Sequence, residues 1–160
     1  MSTQAPEGRA QRAAGERSSS GRLPLPDVGW EPLAGFWAGA AAGELRLPRC
    51  ACSAFRWYPR ERCRYCGATD HEWVRTSGRG TLFSWAVVRR ALYEPYAELV
   101  PYATGLIALA EDPRVRIATR LVDCDPGELR VGMPVHAVFA RLSFPGIEGS
   151  VPAPLFTPTR

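Results

Sequence analysis

Hydrophobic positions along the chain change period three times, and each change marks a different kind of element. Up to residue 29 the chain is Ser, Gly, Ala, Pro and Arg with hardly a large apolar side chain before Leu23, so it cannot bury enough surface to offset its ordering entropy, and it reads as a disordered tail. Over residues 32–43 (PLAGFWAGAAAG), Leu33, Phe36, Trp37 and Ala40 recur at helical spacing, with Pro32 in a first turn and Gly43 as a C-terminal stop. Two bulky aromatics on a short helix need cover, either from the chain's own barrel or from a docking partner. Residues 44–48 lead on as an extended segment into a cysteine-rich stretch. Beyond it, residues 81–88 (TLFSWAVV), 102–110 (YATGLIALA), 114–122 (RVRIATRLV) and 134–142 (PVHAVFARL) alternate as strands. Turn signals separate them: Gly78 and Gly80, Glu111-Asp112-Pro113, Asp125-Pro126-Gly127, and Gly132. The segment 92–101 is a longer connection holding Tyr93, Pro95 and Tyr96.

Four or five strands in about 75 residues, with no crossover helix for parallel pairing, predict a small closed antiparallel barrel of OB type. Such a barrel is filled by its own side chains, so a ligand must lie on its face or between it and a neighbour. The expected organisation is a tail over residues 1–29, a helical segment over 30–47, a ribbon over 48–76 and a barrel over 77–160, mainly β throughout.

Composition adds bounds. Hydrophobic residues at 46% and charged residues at 22% suit a globular protein. No apolar run approaches the ~20 residues of a membrane helix, and the N-terminus lacks a secretory core, which predicts a cytoplasmic protein away from membranes. The net charge is +4, and all 20 basic residues are arginine, whose planar fork suits phosphates and carboxylates. Arg9, Arg12, Arg17 and Arg22 belong to the tail, where Glu7 and Glu16 interrupt them. The tail reads as solvated rather than as a nucleic-acid arm, and nucleic-acid binding is permitted but not demanded.

Cys50, Cys52, Cys63 and Cys66 fall in one short window, while Cys124 stands alone. In a reducing compartment this reads as a metal site plus a free thiol. Two thiolate pairs separated by ten residues suit tetrahedral zinc, with Gly67 after the second pair allowing the knuckle to turn. The first pair, Cys50-Ala51-Cys52, has one intervening residue and no glycine, which makes it a shortened knuckle. Four-thiolate zinc is the main reading; three cysteines with His71 or water, and loss of the metal, stay open. A closed site is structural, contributes roughly 10–16 kcal/mol to ordering its loops, and activates no water.

At this point the sequence resembles the acyl-CoA-associated zinc-ribbon/OB-fold family, long catalogued as a domain of unknown function. The likeness runs from Phe36 to Phe156 and rests on Phe36-Trp37, Gly43-Glu44-Leu45, the cysteine segment with Pro59-Arg60, and residues 77–84 (SGRGTLFS). Pro101-Tyr102, Leu121-Val122-Asp123, residues 132–135 (GMPV) and Pro154-Leu155-Phe156 complete it. The resemblance implies a rubredoxin-like zinc ribbon and a non-catalytic subunit of a thiolase-like or lipid-transfer-protein-like enzyme, in a hetero-oligomer with acyl-CoA at the shared interface. Family members bridge thiolase and hydroxymethylglutaryl-CoA synthase in archaea, serve a phloroglucinol acetyltransferase, or partner aldolases of steroid side-chain degradation. The small subunit helps form the CoA channel and stabilises the complex.

The residues offer matching chemistry. Arg56, Trp57, Tyr58 and Arg60, beside Arg62 and Arg64, interleave rings and guanidinia that suit an adenine and its phosphates, although a solvated ribbon packed on the barrel explains them equally. Arg79, flanked by glycines, either approaches a phosphate or caps a strand turn; Phe36 and Trp37 are candidates for the partner surface. His71, His136, Asp123, Asp125 and Cys124 form no recognisable catalytic group, and no phosphate loop or nucleophile elbow occurs. A free-standing hydrolase or acyltransferase therefore has no residue to recommend it. The competing reading is a single-stranded nucleic-acid binder, which requires Phe83 and Trp85 as an exposed stacking platform on one side of their strand.

Overall fold

The structure, a computed structural model, describes residues 26–92, 94–143 and 148–159, without the side chains of Pro95 and Tyr96. The tail expectation therefore falls almost wholly outside the described residues, as does Tyr93.

A single 3-10 turn, Glu31–Leu33, runs into helix α1, Ala34–Ala41. Its inward face is the one the spacing predicted: Leu33, Phe36 and Ala40 are buried and Trp37 packs partly buried beside them. Gly43 ends the helix at φ +72°. The Glu44 amide donates to the Gly39 carbonyl (2.8 Å) and the Gly43 amide to Ala40 (3.2 Å), a reciprocal closure that only a left-handed residue permits cheaply. Small residues let α1 approach closely: a Cβ on Gly35 would stand 2.1 Å from the Trp73 ring.

Strands β1 (Arg46–Arg49) and β2 (Glu72–Arg75) pair antiparallel and bracket the cysteine loop, with Arg46 opposite Arg75 and Arg49 opposite Glu72. Five further strands close a barrel: β3 (Arg79–Val88), β4 (Tyr102–Leu109), β5 (Arg116–Leu121), β6 (Pro134–Leu142) and β7 (Val151–Pro158), in the order β3-β4-β5-β7-β6. The pairings are antiparallel except β5 with β7, which run parallel.

That junction is thin for a chemical reason. Phe156 directs its carbonyl to β5, accepting from the Val122 amide at 2.9 Å. Residues of the same parity on β7 therefore point their main-chain groups the same way, and three of them, Pro152, Pro154 and Pro158, have no N–H to offer. The Thr119 hydroxyl compensates by donating to the Pro154 carbonyl (3.0 Å). The same prolines hide β7 from sequence rules, because proline argues against a paired strand.

One core unites the parts. Leu33, Phe36, Leu45 and Leu47 from the helix and ribbon join Leu82, Ile107, Ile117, Val135 and Phe156 of the barrel interior in a single buried cluster. Helix α1 touches both β1 and β7, so Phe36 is covered by the chain's own barrel. No helix among the described residues is long and apolar enough to cross a membrane.

Candidate metal centre and ribbon surface

β1 delivers Cys50 and Cys52 into a tight turn, and a second turn brings Cys63 and Cys66 to face them. All four sulfurs lie within 4.8 Å of one another. Tetrahedral zinc with sulfurs about 2.3 Å away sets them about 3.8 Å apart, and two cross-pairs, Cys50–Cys66 at 3.4 Å and Cys52–Cys63 at 3.7 Å, lie near that spacing. The donor set therefore fits zinc. His71 is engaged elsewhere: its Nδ1 sits 3.1 Å from the Arg56 guanidinium and its ring is edge-on to Trp73.

The two turns have parallel logic despite different lengths. The Cys63 amide donates to the Ala68 carbonyl (2.8 Å) and the Cys50 amide to Ala54 (2.9 Å). Gly67 takes φ +76° in the longer knuckle, and Ser53 takes φ +66° in the shortened one, so a serine does what glycine does more cheaply. Amides converge on the sulfurs. Those of Tyr65 and then Cys66 hold the Cys63 thiol down at about 6. The Ala68 amide favours the Cys66 thiolate, but the Cys50 and Cys52 sulfurs, with burial and the Cys63 sulfur, push that thiol up to about 12. Four sulfurs this close cannot all stay anionic without a cation between them.

Arg56, buried at 7% exposure, ties the excursion together from inside. Its guanidinium donates to the carbonyls of Thr69 (2.5 Å), Glu61 (2.7 Å) and Arg60. Its terminal N–H groups are thus committed within the protein, and it serves the ribbon rather than facing solvent.

From the core outward runs a train of rings. Phe36 contacts Trp37 (5.0 Å between centroids) and Trp57 (5.1 Å), Trp57 contacts Tyr58 (5.3 Å), and Tyr58 stacks on Trp30 (6.1 Å, 21° between planes). The outer pair is open to solvent, Tyr58 at 54% and Trp30 at 42%. Beside it Arg60, Arg62 and Arg64, with Trp57 and Tyr58, line a cleft of about 60 Å³. Sequence reasoning did not reach Trp30, which is distant in sequence from Tyr58 and precedes the helix. Arg79 lies elsewhere, at the start of β3 opposite His136; Phe36 and Trp37 stand at the inner end of the train.

A larger groove, about 1040 Å³, is bordered by Asp123, Asp125 and Glu128 with Arg130, a balance that repels phosphates. Cys124 lies in it, its thiol pushed up by burial and then by the two aspartates. On β3 a bulge between Leu82 and Ser84 breaks the alternation. It leaves Phe83 exposed at 42% while turning Trp85 toward the core. The two rings therefore do not share a side, and the stacking platform a single-strand binder needs is not assembled.

A two-knuckle, four-sulfur ribbon joined through a shared core to a five-stranded barrel of this strand order defines a zinc-ribbon/OB-fold protein. Residues 37–72 match the ChsH2 rubredoxin-like zinc ribbon domain and residues 73–140 the ChsH2 C-terminal OB-fold domain. The chain belongs to this family, also described as DUF35. A DUF35 domain-containing scaffold protein of Methanocaldococcus jannaschii is 33% identical over 64% of this chain and 72% of its own length. The 3-oxo-4,17-pregnadiene-20-carboxyl-CoA hydratase alpha subunit of Mycobacterium tuberculosis is 37% identical over 69% of this chain, which spans only 33% of that protein. Among solved structures, a chain of an Ltp2-ChsH2(DUF35) aldolase superposes with TM-score 0.64 at 28% identity, covering 79% of this chain and 93% of that one.

Proposed function

We propose that the chain is a non-catalytic subunit that binds and stabilises a thiolase-like or lipid-transfer-protein-like acyl-CoA enzyme, and that its ribbon forms one wall of the CoA channel. Four thiolates hold a structural zinc that keeps the ribbon rigid, and the assembly works in the cytoplasm, a retro-aldolase of steroid side-chain breakdown being the leading candidate. The observation that carries this reading is the Trp30–Tyr58 stack beside Arg60, Arg62 and Arg64. Exposed rings next to guanidinia suit an adenine with its phosphates, yet a cleft of about 60 Å³ is far below the several hundred Å³ that encloses a ligand. The second wall has to come from another protein. The likeness to a chain solved within an aldolase, and to proteins described as scaffolds or hydratase subunits, supports that role.

The test is affinity purification of the tagged chain from its native host, with zinc and bound proteins measured on one sample. The reading expects a thiolase-like subunit in fixed ratio, one zinc per chain, and CoA-ester binding by the complex that falls at least tenfold in Y58A/R62A while the complex persists. A chain recovered alone, or CoA-ester binding unaffected by that variant, counts against it.

A further inference from the structure

Three guanidinium–ring pairs follow β5, and only the first borders the ribbon cleft, since its ring, Tyr65, also carries Arg64 at 5.2 Å. Arg114 lies 5.1 Å from the Tyr65 ring centroid, Arg116 3.6 Å from Phe83 and Arg120 5.1 Å from Tyr102. The arginines occupy outward positions leading into and along β5, alternating with buried Val115, Ile117 and Thr119. Their rings come from three other places: the second cysteine knuckle, the β3 bulge and the start of β4. Arg116 reaches Phe83 because the residue opposite it on β4 is Ala108, too small to block the way.

Charge on this face is one-sided. No Asp or Glu occurs in β3, β4 or β5. Arg114 is paired with Asp112 at 2.8 Å, whereas among the described residues neither Arg116 nor Arg120 has a carboxylate partner. A guanidinium laid on a ring is already ordered, so engaging a carboxylate with its free edge costs less entropy than it does for a waving side chain. The same stacking covers ring surface that nucleic-acid bases need, which disfavours a single strand. Arginine and aromatic side chains are also the residues enriched at interface centres.

We infer that the β3–β4–β5 face is the docking surface for the enzyme subunit, and that it recognises a folded protein surface rich in carboxylates. This rests on the partner-subunit reading but assigns a different surface from the CoA wall. The test has two arms. In the first, the ¹⁵N-labelled full-length, zinc-loaded chain is titrated at low salt with decaglutamate and, separately, with dT10. Amide shifts from decaglutamate should map to residues 81–88, 102–109 and 114–121, and R116E/R120E should weaken binding at least tenfold while the charge-matched R89E/R130E weakens it under threefold. Equal losses in both variants, scattered shifts, or tighter binding of dT10 on this face would overturn the inference.

In the second arm, R116E/R120E is expressed in the native host and its recovery of the thiolase-like subunit compared with the parent chain. Loss of that subunit with zinc retained supports the inference; unchanged recovery overturns it and leaves the partner reading standing. If the parent chain itself recovers no such subunit, the partner reading fails, and with it the assignment of the docked protein.

Discussion

Single residues decide whether the ribbon exists as a rigid body. Cys63 is buried and receives two amides at its sulfur, so C63S should reduce zinc from one per chain to nearly none by metal analysis and broaden the ribbon's NMR signals, because a site with three thiolates no longer closes. Arg56 matters almost as much without touching metal. Replacing it by Met leaves the carbonyls of Thr69, Arg60 and Glu61 without their donor, at a cost of about 1–3 kcal/mol. Denaturant unfolding of the zinc-loaded protein should register that loss, and R56K should recover only part of it, since an ammonium cannot span acceptors arranged for a planar fork. The cysteines, their spacing and the role of Gly67 could be read from sequence because their chemistry is local. The commitment of Arg56 could not, since its acceptors are main-chain carbonyls and carbonyls carry no residue identity.

Elements are placed by close approaches and turns. Gly35 lets α1 lie on Trp73, and an alanine there would put a Cβ 2.1 Å from the ring; G35A should cost about 1–3 kcal/mol through forced displacement of the helix. G67A meets nothing within 4 Å but must hold φ +76°, so its penalty should be about 1–2 kcal/mol. The β4–β5 turn carries a pH signature. Hydrogen bonds from the Arg114 side chain, and then its amide, hold the Asp112 carboxylate below its ordinary range. A carboxyl lowered on folding adds stability above its unfolded value of about 3.9 and surrenders it as pH falls through the folded value. D112N should therefore be slightly less stable than the parent at pH 7, with the gap closing in acid, in paired thermal melts at both pH values. Four barrel strands were legible because their alternation is clean, and helix α1 because Pro32 and Gly43 bracket Phe36 and Trp37, although its other residues are small and apolar on every side. Strand β7 was not, because its prolines mask a strand that the thin β5–β7 junction tolerates, and neither was the β3 bulge, because parity after an inserted residue depends on the register with β4.

At the scale of the molecule, ribbon, helix and barrel share one apolar core, while two features remain turned outward: the Trp30–Tyr58 stack and the arginine–ring row along β5. The family and barrel type could be read from motifs, whereas the grouping of these surfaces comes from contacts between Trp30 and Tyr58, and between Tyr65 and Arg114, that no spacing rule links. On the proposed reading, both surfaces are completed by a partner protein. Native mass spectrometry of the tagged chain purified from its host tests this most directly. The account predicts a hetero-oligomer containing a thiolase-like subunit in fixed ratio, with one zinc for each copy of this chain. A metal-free, folded chain that flies alone and cleaves a CoA thioester by itself would contradict it.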